Sequence, residues 1–181
     1  SDSHVRAVAV ADAVANRASA ALFEADAETF FKTPELSEEM FGPASILVRY
    51  KGIEQALQLA HTMEGNLTAT IHHAPGDEAD CAKLIAALET RVGRIVFNGY
   101  PTGVEVCQAM VHGGPYPSTS DGRSTSVGGR AVDRFVRAVC YQDAPAAILP
   151  EELRDGNPAG IARLVNGVLQ PRPTQTQTAS S

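Results

Sequence analysis

The chain has 181 residues, 44% of them hydrophobic and 20% charged, with a formal net charge of −6. That is enough for one domain with a core of its own, in an ordinary globular composition. The negative balance and the lack of any Lys/Arg run argue against nucleic acid and acidic membrane surfaces as partners, no apolar stretch approaches membrane-spanning length, and no basic region followed by an apolar run marks a secretory signal.

Residues 5–21 are alanine-rich and helix-compatible, while Ala20-Ala21-Leu22-Phe23 before Glu24 reads equally as a strand. Ser45 to Tyr50 reads as a strand, because Ile46, Leu47 and Val48 are apolar and β-favouring, and Gly52 breaks it. Ile53, Ala56, Leu57, Ala60 and Met63 then recur at helical spacing, with Gly65-Asn66 as the stop. Leu67 to His73 predicts a second strand. Pro75-Gly76 turns the chain, and Asp77 is placed to cap a helix whose apolar stripe is Cys81, Ile85, Leu88 and Val92, with Gly93 as its C-terminal cap. Ile95-Val96-Phe97 is a third strand, closed by Asn98-Gly99.

Tyr100 to Gly129 collects most of the Gly, Pro, Ser and Thr clustering and predicts a long loop, of the kind that is usually functional or interfacial. Arg130 to Arg137 predicts a short helix and Ala138 to Tyr141 a short last strand. Leu149 to Val168 predicts turns and one short helix. The Pro/Thr/Gln/Ser tail is too polar to bury and is expected to be disordered from about residue 171. Strands separated by single helices predict right-handed βαβ units. The expected fold class is therefore α/β, a parallel twisted sheet with helices on both faces.

Cys81, Cys107 and Cys140 are far apart and form no C-x-x-C pair, so no zinc or redox site is indicated and a reducing cytoplasm is the simplest location. Each is expected to be a buried structural thiol. His72 and His73 are adjacent on a predicted strand, so their rings point to opposite faces and do not chelate one metal ion.

One stretch stands apart. Glu38-Glu39-Met40-Phe41-Gly42-Pro43 puts two carboxylates, an aromatic ring and a Gly-Pro turn directly before the apolar run from Ala44 to Val48. Open α/β sheets place ligands in the crevice outside the carboxyl ends of their strands, and this stretch is expected to sit at such a mouth.

The stretch resembles the E-E-x-F-G-P signature of the aldehyde dehydrogenase superfamily. Three further segments follow the order found there: Ala21-Leu22-Phe23-Glu24 with Phe30 lies upstream, Arg94 to Gly99 resembles a G-x-V-x-V-N strand, and Gly113-Gly114 with Ser126 to Arg130 resembles an F-G-G … S-G-x-G-R-E loop. The wording of Pro101 to Val106, His112 to Pro117 and Val139 to Gln142 is similar to one branch, the 2,5-dioxopentanoate (α-ketoglutarate semialdehyde) dehydrogenases with a bacterial fatty aldehyde dehydrogenase relative. Ala131 stands where the loop motif closes on glutamate, so only loop placement carries over there.

The resemblance implies a parent enzyme that oxidises an aldehyde to a carboxylate with NAD or NADP. A cysteine thiolate attacks the aldehyde, hydride leaves for the nicotinamide, and water activated by a glutamate releases the acid. Only 38 residues precede Glu39, so the nucleophile, the base and the dinucleotide-binding domain are expected to lie outside this chain, which alone would be inactive. By the same resemblance, residues 1–137 are the C-terminal part of the catalytic domain, 138–150 an oligomerisation strand and 151–181 an extension, in a homodimer or tetramer.

The resemblance also implies roles. Glu39 accepts hydrogen bonds from the ribose next to the nicotinamide, where an acceptor-only carboxylate suits the task; as an isolated residue it reads equally as a solvated or helix-capping acid. Phe41 borders the nicotinamide ring, or serves as a core aromatic. The loop reaches the substrate entrance, with Thr102, His112 and Arg123 as polar candidates. Arg123 would suit a carboxylate-bearing substrate, or is a solvated loop charge. Alternative readings are a non-catalytic binding or oligomerisation module of the same fold, and a parent enzyme specific for fatty aldehydes.

Overall fold

The structure, a computed structural model, describes residues 5–173. Most of the expected tail lies outside them. Contacts divide the chain into two compact units that meet between Val136 and Arg137.

In the first unit, β1 (Arg6–Val10) pairs antiparallel with β2 (Ala21–Asp26), and β2 pairs parallel with β3 (Ala44–Arg49). The helical option for residues 5–21 is thereby overturned. A short helix, α1 (Ala27–Lys32), joins β2 to β3, and the Asp26 side chain caps it by accepting from the Thr29 N–H at 2.8 Å. Next come α2 (Gly52–Thr62), β4 (Asn66–Ile71), α3 (Glu78–Leu88) and β5 (Val92–Phe97). β4 and β5 pair parallel, as a sheet separate from β1-β2-β3. The class is α/β with two parallel pairs, each joined by a helix. The three helices touch one another in chain order, α1 on α2 and α2 on α3.

Burial selects the face of each sheet that these helices cover. Paired residues share a face. In the first sheet Phe23 and Ala25 with Ile46 and Val48 are shielded, while Ser45, Leu47 and Arg49 alternate with them and are exposed. The second sheet carries the core cluster, in which Ala60, Ile71, Ala87, Leu88 and Val92 are buried and Leu57, Ala69, Cys81, Leu84, Ile85 and Ile95 pack against them. Five of the nine buried apolar residues among the described residues are alanines, and no large side chain among them is fully buried, so this core is thin.

Two boundaries differ from the sequence reading, and both differences come from tertiary packing. Val92 is not on the stripe of α3; the helix stops at Leu88, the Arg91 N–H closes a turn onto the Leu88 carbonyl at 2.8 Å, and Val92 opens β5. Gly93 is accordingly a strand residue rather than a helix cap. A Cβ there would run into the Gly113 carbonyl, so glycine is what lets the downstream loop cross the strand. Asp77 stands at the helix start, but its carboxylate accepts from the Ala74 N–H at 3.0 Å and closes the preceding turn.

The predicted helix at 130–137 is a short 3-10 helix, Gly129–Arg134. Ala138 to Tyr141 forms no strand among the described residues, and these residues are exposed. The second unit contains short 3-10 turns at Ala146–Ile148 and Glu151–Leu153 and a hairpin of β6 (Arg163–Val165) and β7 (Val168–Gln170). Its two-residue turn is Asn166-Gly167, both at positive φ, as this tight hairpin turn requires.

Candidate functional site

The Glu38–Pro43 stretch leads into β3, which runs parallel to β2; the Ala21 N–H donates to the Pro43 carbonyl at 3.0 Å. The stretch therefore lies at the amino end of this parallel pair. The expectation that it sits outside the carboxyl ends of the strands is wrong, for a simple reason: a segment that precedes a strand in sequence meets that strand's amino end. Glu39 is exposed, and Phe41 is 96% exposed, so Phe41 packs in no core among the described residues. A free carboxylate and a bare ring two residues apart are chemically suited to ribose hydroxyls and a flat heterocycle, so the residues present fit the nicotinamide end of a dinucleotide.

At the carboxyl ends of β4 and β5 the structure places a different group. Asn98, at positive φ, ties the two strands together: its N–H donates to the Ile71 carbonyl at 3.0 Å and its Oδ1 accepts from the His73 N–H at 2.8 Å. The His72 ring stacks obliquely on Tyr100 at 5.6 Å, and the His73 ring meets Phe97 edge-on at 6.1 Å.

The long loop returns to the amino ends of β4 and β5. Gly113 and Gly114 are buried against Gly93 and the Asn66 carbonyl. Thr125, 4% exposed, pins the loop from below: its Oγ1 accepts from the His112 N–H at 2.8 Å and donates to the Val127 carbonyl at 2.7 Å. The Ser126 N–H and hydroxyl both donate to the His112 carbonyl at 3.0 Å. The backbone of His112 is thus fixed on both sides, yet its Nδ1 is buried with no hydrogen-bond partner among the described residues.

His112 lines a cleft of about 240 Å³ with Leu67, Ser120, Asp121 and Arg134. The other loop candidates are elsewhere. Thr102 is exposed, its N–H turned back to the Tyr100 carbonyl at 2.8 Å. The Arg123 guanidinium is spent on its neighbour, with Nε 3.0 Å from Asp121 Oδ1 and a side chain 92% exposed. Hydrogen bonds from Arg123 hold the Asp121 carboxyl below the usual range, and Asp121 in turn raises Arg123. The residue that sequence reasoning missed is Arg134, which lines the cleft together with Asp121 and whose charge adds to that of Arg123 in lowering the Asp121 carboxyl. No local motif marks it; only the return of the chain past the loop brings it there.

The cysteines differ as well. Cys81 is half-buried against the core, but Cys107 and Cys140 are exposed, so the reading of all three as buried thiols fails for two. Cys107 lies in an open turn, and Cys140 in the unpaired segment after Val136. No helix of the described residues is long and apolar enough to cross a membrane.

No protein-family model matches the chain. Among curated proteins, it is 48% identical over 151 residues, 83% of its length, to an alpha-ketoglutaric semialdehyde dehydrogenase 2 of Azospirillum brasilense. It is 48% identical over 149 residues, 82% of its length, to an alpha-ketoglutaric semialdehyde dehydrogenase of Acinetobacter baylyi, and 41% identical over 71 residues, 38% of its length, to a succinate semialdehyde dehydrogenase (NAD(P)+) of Escherichia coli. These matches cover 29%, 28% and 14% of the respective relatives, so the chain spans less than a third of their length. A 151-residue match within 181 residues necessarily takes in residues 31–151, hence Glu39, Phe41, Thr102, His112, Arg123 and Arg134. The signature before β3, the strand and loop segments in order, and this identity agree: the chain belongs to the aldehyde dehydrogenase family, of which it matches a C-terminal portion.

Proposed function

We propose that this chain is the C-terminal portion of an NAD- or NADP-dependent enzyme that oxidises 2,5-dioxopentanoate, a carboxylate-bearing aldehyde, to its dicarboxylate. The observation that carries this reading is the 48% identity with alpha-ketoglutaric semialdehyde dehydrogenases across the whole signature and loop region. Within that reading, Glu39 and Phe41 hold the nicotinamide end of the cofactor, whose chemistry when bound is to accept hydride. Glu39 does this as a hydrogen-bond acceptor and Phe41 as a flat apolar wall. Thr102, His112 and Arg123 belong to the loop at the substrate entrance. The nucleophile, the base and the rest of the cofactor site come from other parts of the parent enzyme, so this chain alone does not turn over.

The reading also accounts for what the isolated chain leaves open. In the intact enzyme β3 and β4 become strands of one twisted sheet, with the bare Ser45-Leu47-Arg49 face covered by helices from elsewhere in the protein. The thin core and the exposed Leu47 on that face support such a cover. Residues 138–150 pair with a neighbouring subunit in a homodimer or tetramer, a reading supported by the exposed, unpaired stretch Ala138 to Tyr141. A cytoplasmic location is supported by the unpaired thiols.

The test is a substrate panel on the intact enzyme. The expected result is a kcat/KM for 2,5-dioxopentanoate well above that for a long-chain aldehyde of equal reactivity. A preference for the long-chain aldehyde would replace the dioxopentanoate assignment with fatty aldehyde oxidation, and the absence of any aldehyde oxidation would leave the chain as a binding or oligomerisation module.

A further inference from the structure

We propose that Arg94 is a positioning residue: from β5 its guanidinium holds the segment Thr102-Gly103-Val104 in place. That the segment faces the aldehyde entrance rests on the proposed function; what holds it rests on the geometry of this chain.

The segment has little support of its own. Residues 100–109 are exposed apart from the half-buried Val104. The Thr102 N–H turns back onto the Tyr100 carbonyl at 2.8 Å, a bond inside the segment. From Cys107 the loop is fixed again, because the Met110 and Gly129 N–H groups both donate to the Cys107 carbonyl, at 3.3 and 3.2 Å. Between Tyr100 and Val106, among the described residues, a single hydrogen bond arrives from outside the segment: Arg94 Nη1 donates to the Gly103 carbonyl at 2.9 Å. The Tyr100 ring also leans on His72, at the start of the segment.

The place of Arg94 in β5 explains its reach. Its neighbour Ile95 packs on the core, and successive strand residues point to opposite faces, so Arg94 is turned away from the core. The same Nη1 lies 3.9 Å from Met110 Sδ, so one guanidinium touches both ends of the stretch from Gly103 to Met110. A bond from a charged donor is stronger than one between neutral groups. The fold itself gains little from an arginine here. Arg94 Nε is buried with no hydrogen-bond partner among the described residues, a cost that an apolar side chain would not carry. Thr102 stands directly beside the tethered residue, so releasing the Gly103 carbonyl also frees the Thr102 side chain.

The experiment compares the intact enzyme with its Arg94→Met and Arg94→Lys variants in two ways. Methyl NMR relaxation of valine-labelled protein reads motion at Val104, with Val96 in β5 as the internal reference. Steady-state kinetics read KM and kcat for 2,5-dioxopentanoate. In Arg94→Met, Val104 is expected to become more mobile while Val96 is unchanged. The aldehyde KM is expected to rise about fivefold or more, the scale of one lost hydrogen bond, with kcat and the cofactor KM within about twofold. Arg94→Lys keeps a charged donor and is expected to recover part of both effects; it gives a second reading if Arg94→Met perturbs the fold. Unchanged Val104 motion overturns the tether. Greater Val104 motion with an unchanged aldehyde KM overturns the positioning role. An equal gain in motion at Val96, or a cofactor KM that rises with the aldehyde KM, marks a general weakening of the fold and overturns it too. The methyl reading needs no turnover, so failure of the proposed reaction and failure of the tether are told apart.

Discussion

Glu24 is the chain's one buried carboxylate among the described residues, and it lies between two guanidinium groups. Arg6 on β1 and Arg49 on β3 both hydrogen-bond to it, from strands on either side of β2. The hydrogen bonds from Arg49 and then Arg6 outweigh the burial that opposes them and hold the Glu24 carboxyl below its ordinary range. A carboxyl lowered in the folded state contributes stability that is complete above the unfolded pKa and lost as pH falls through the folded one. The expected outcome is a urea midpoint that declines below about pH 4, near the ordinary glutamate pKa, with Glu24→Gln lowering the midpoint at neutral pH and flattening that acid limb. Equal acid limbs in the two proteins would contradict the assignment. This network was not legible in the sequence. Arg6 and Arg49 stand 18 and 25 positions from Glu24 and meet it only because β2 is the middle strand of three. Arg134 was missed for the same reason, while Arg123 stood as a candidate because a guanidinium suits a carboxylate-bearing substrate, and its pairing with Asp121 is not visible in the sequence.

At the scale of elements, α2, α3, β3, β4 and β5 were readable because each carries its own period. Val92 and Gly93 were misread because an apolar residue and a glycine after a helix look like its last turn and its cap. What decides their state is the Gly113 backbone lying across β5, a contact twenty residues away. Gly93→Ala is therefore expected to destabilise the chain by about 1–3 kcal/mol or more, as overpacking does. Gly42→Ala, whose Cβ would meet nothing within 4 Å, is expected to be near neutral. Denaturant midpoints of the two variants check the contrast. On α3, Leu88→Ala removes a buried side chain from a core already rich in alanine, and a loss of about 2–5 kcal/mol is expected in the same measurement. The β6–β7 hairpin does carry a sequence signal, Asn166-Gly167 between Leu164-Val165 and Val168-Leu169, but a faint one, because the flanking strands are only three residues each.

For the whole molecule, the family was legible from a few ordered segments, and its strand geometry was not. The signature was expected at the carboxyl ends of a single sheet. It lies at the amino end of β3, and the strands of the described residues divide among three small sheets. The assignment of Glu39 and Phe41 thus rests on homology and on their exposed, uncommitted chemistry, not on the general rule for open sheets. The thin core and unpaired strand edges lead to the expectation that the isolated chain neither oxidises aldehydes nor reaches the stability of the intact enzyme. Size-exclusion chromatography of the intact enzyme with and without residues 138–150 tests the proposed subunit pairing, with loss of the oligomer expected on deletion. The central claim is that the loop before β3 faces the reactive end of a nicotinamide cofactor. Its most direct test is steady-state oxidation of 2,5-dioxopentanoate by the intact enzyme and its Glu39→Gln variant, with the cofactor concentration varied. The account predicts about a tenfold or larger fall in kcat/KM for the cofactor, the scale of a lost charged hydrogen bond, with the aldehyde KM little changed. Identical cofactor kinetics in the two proteins would contradict it.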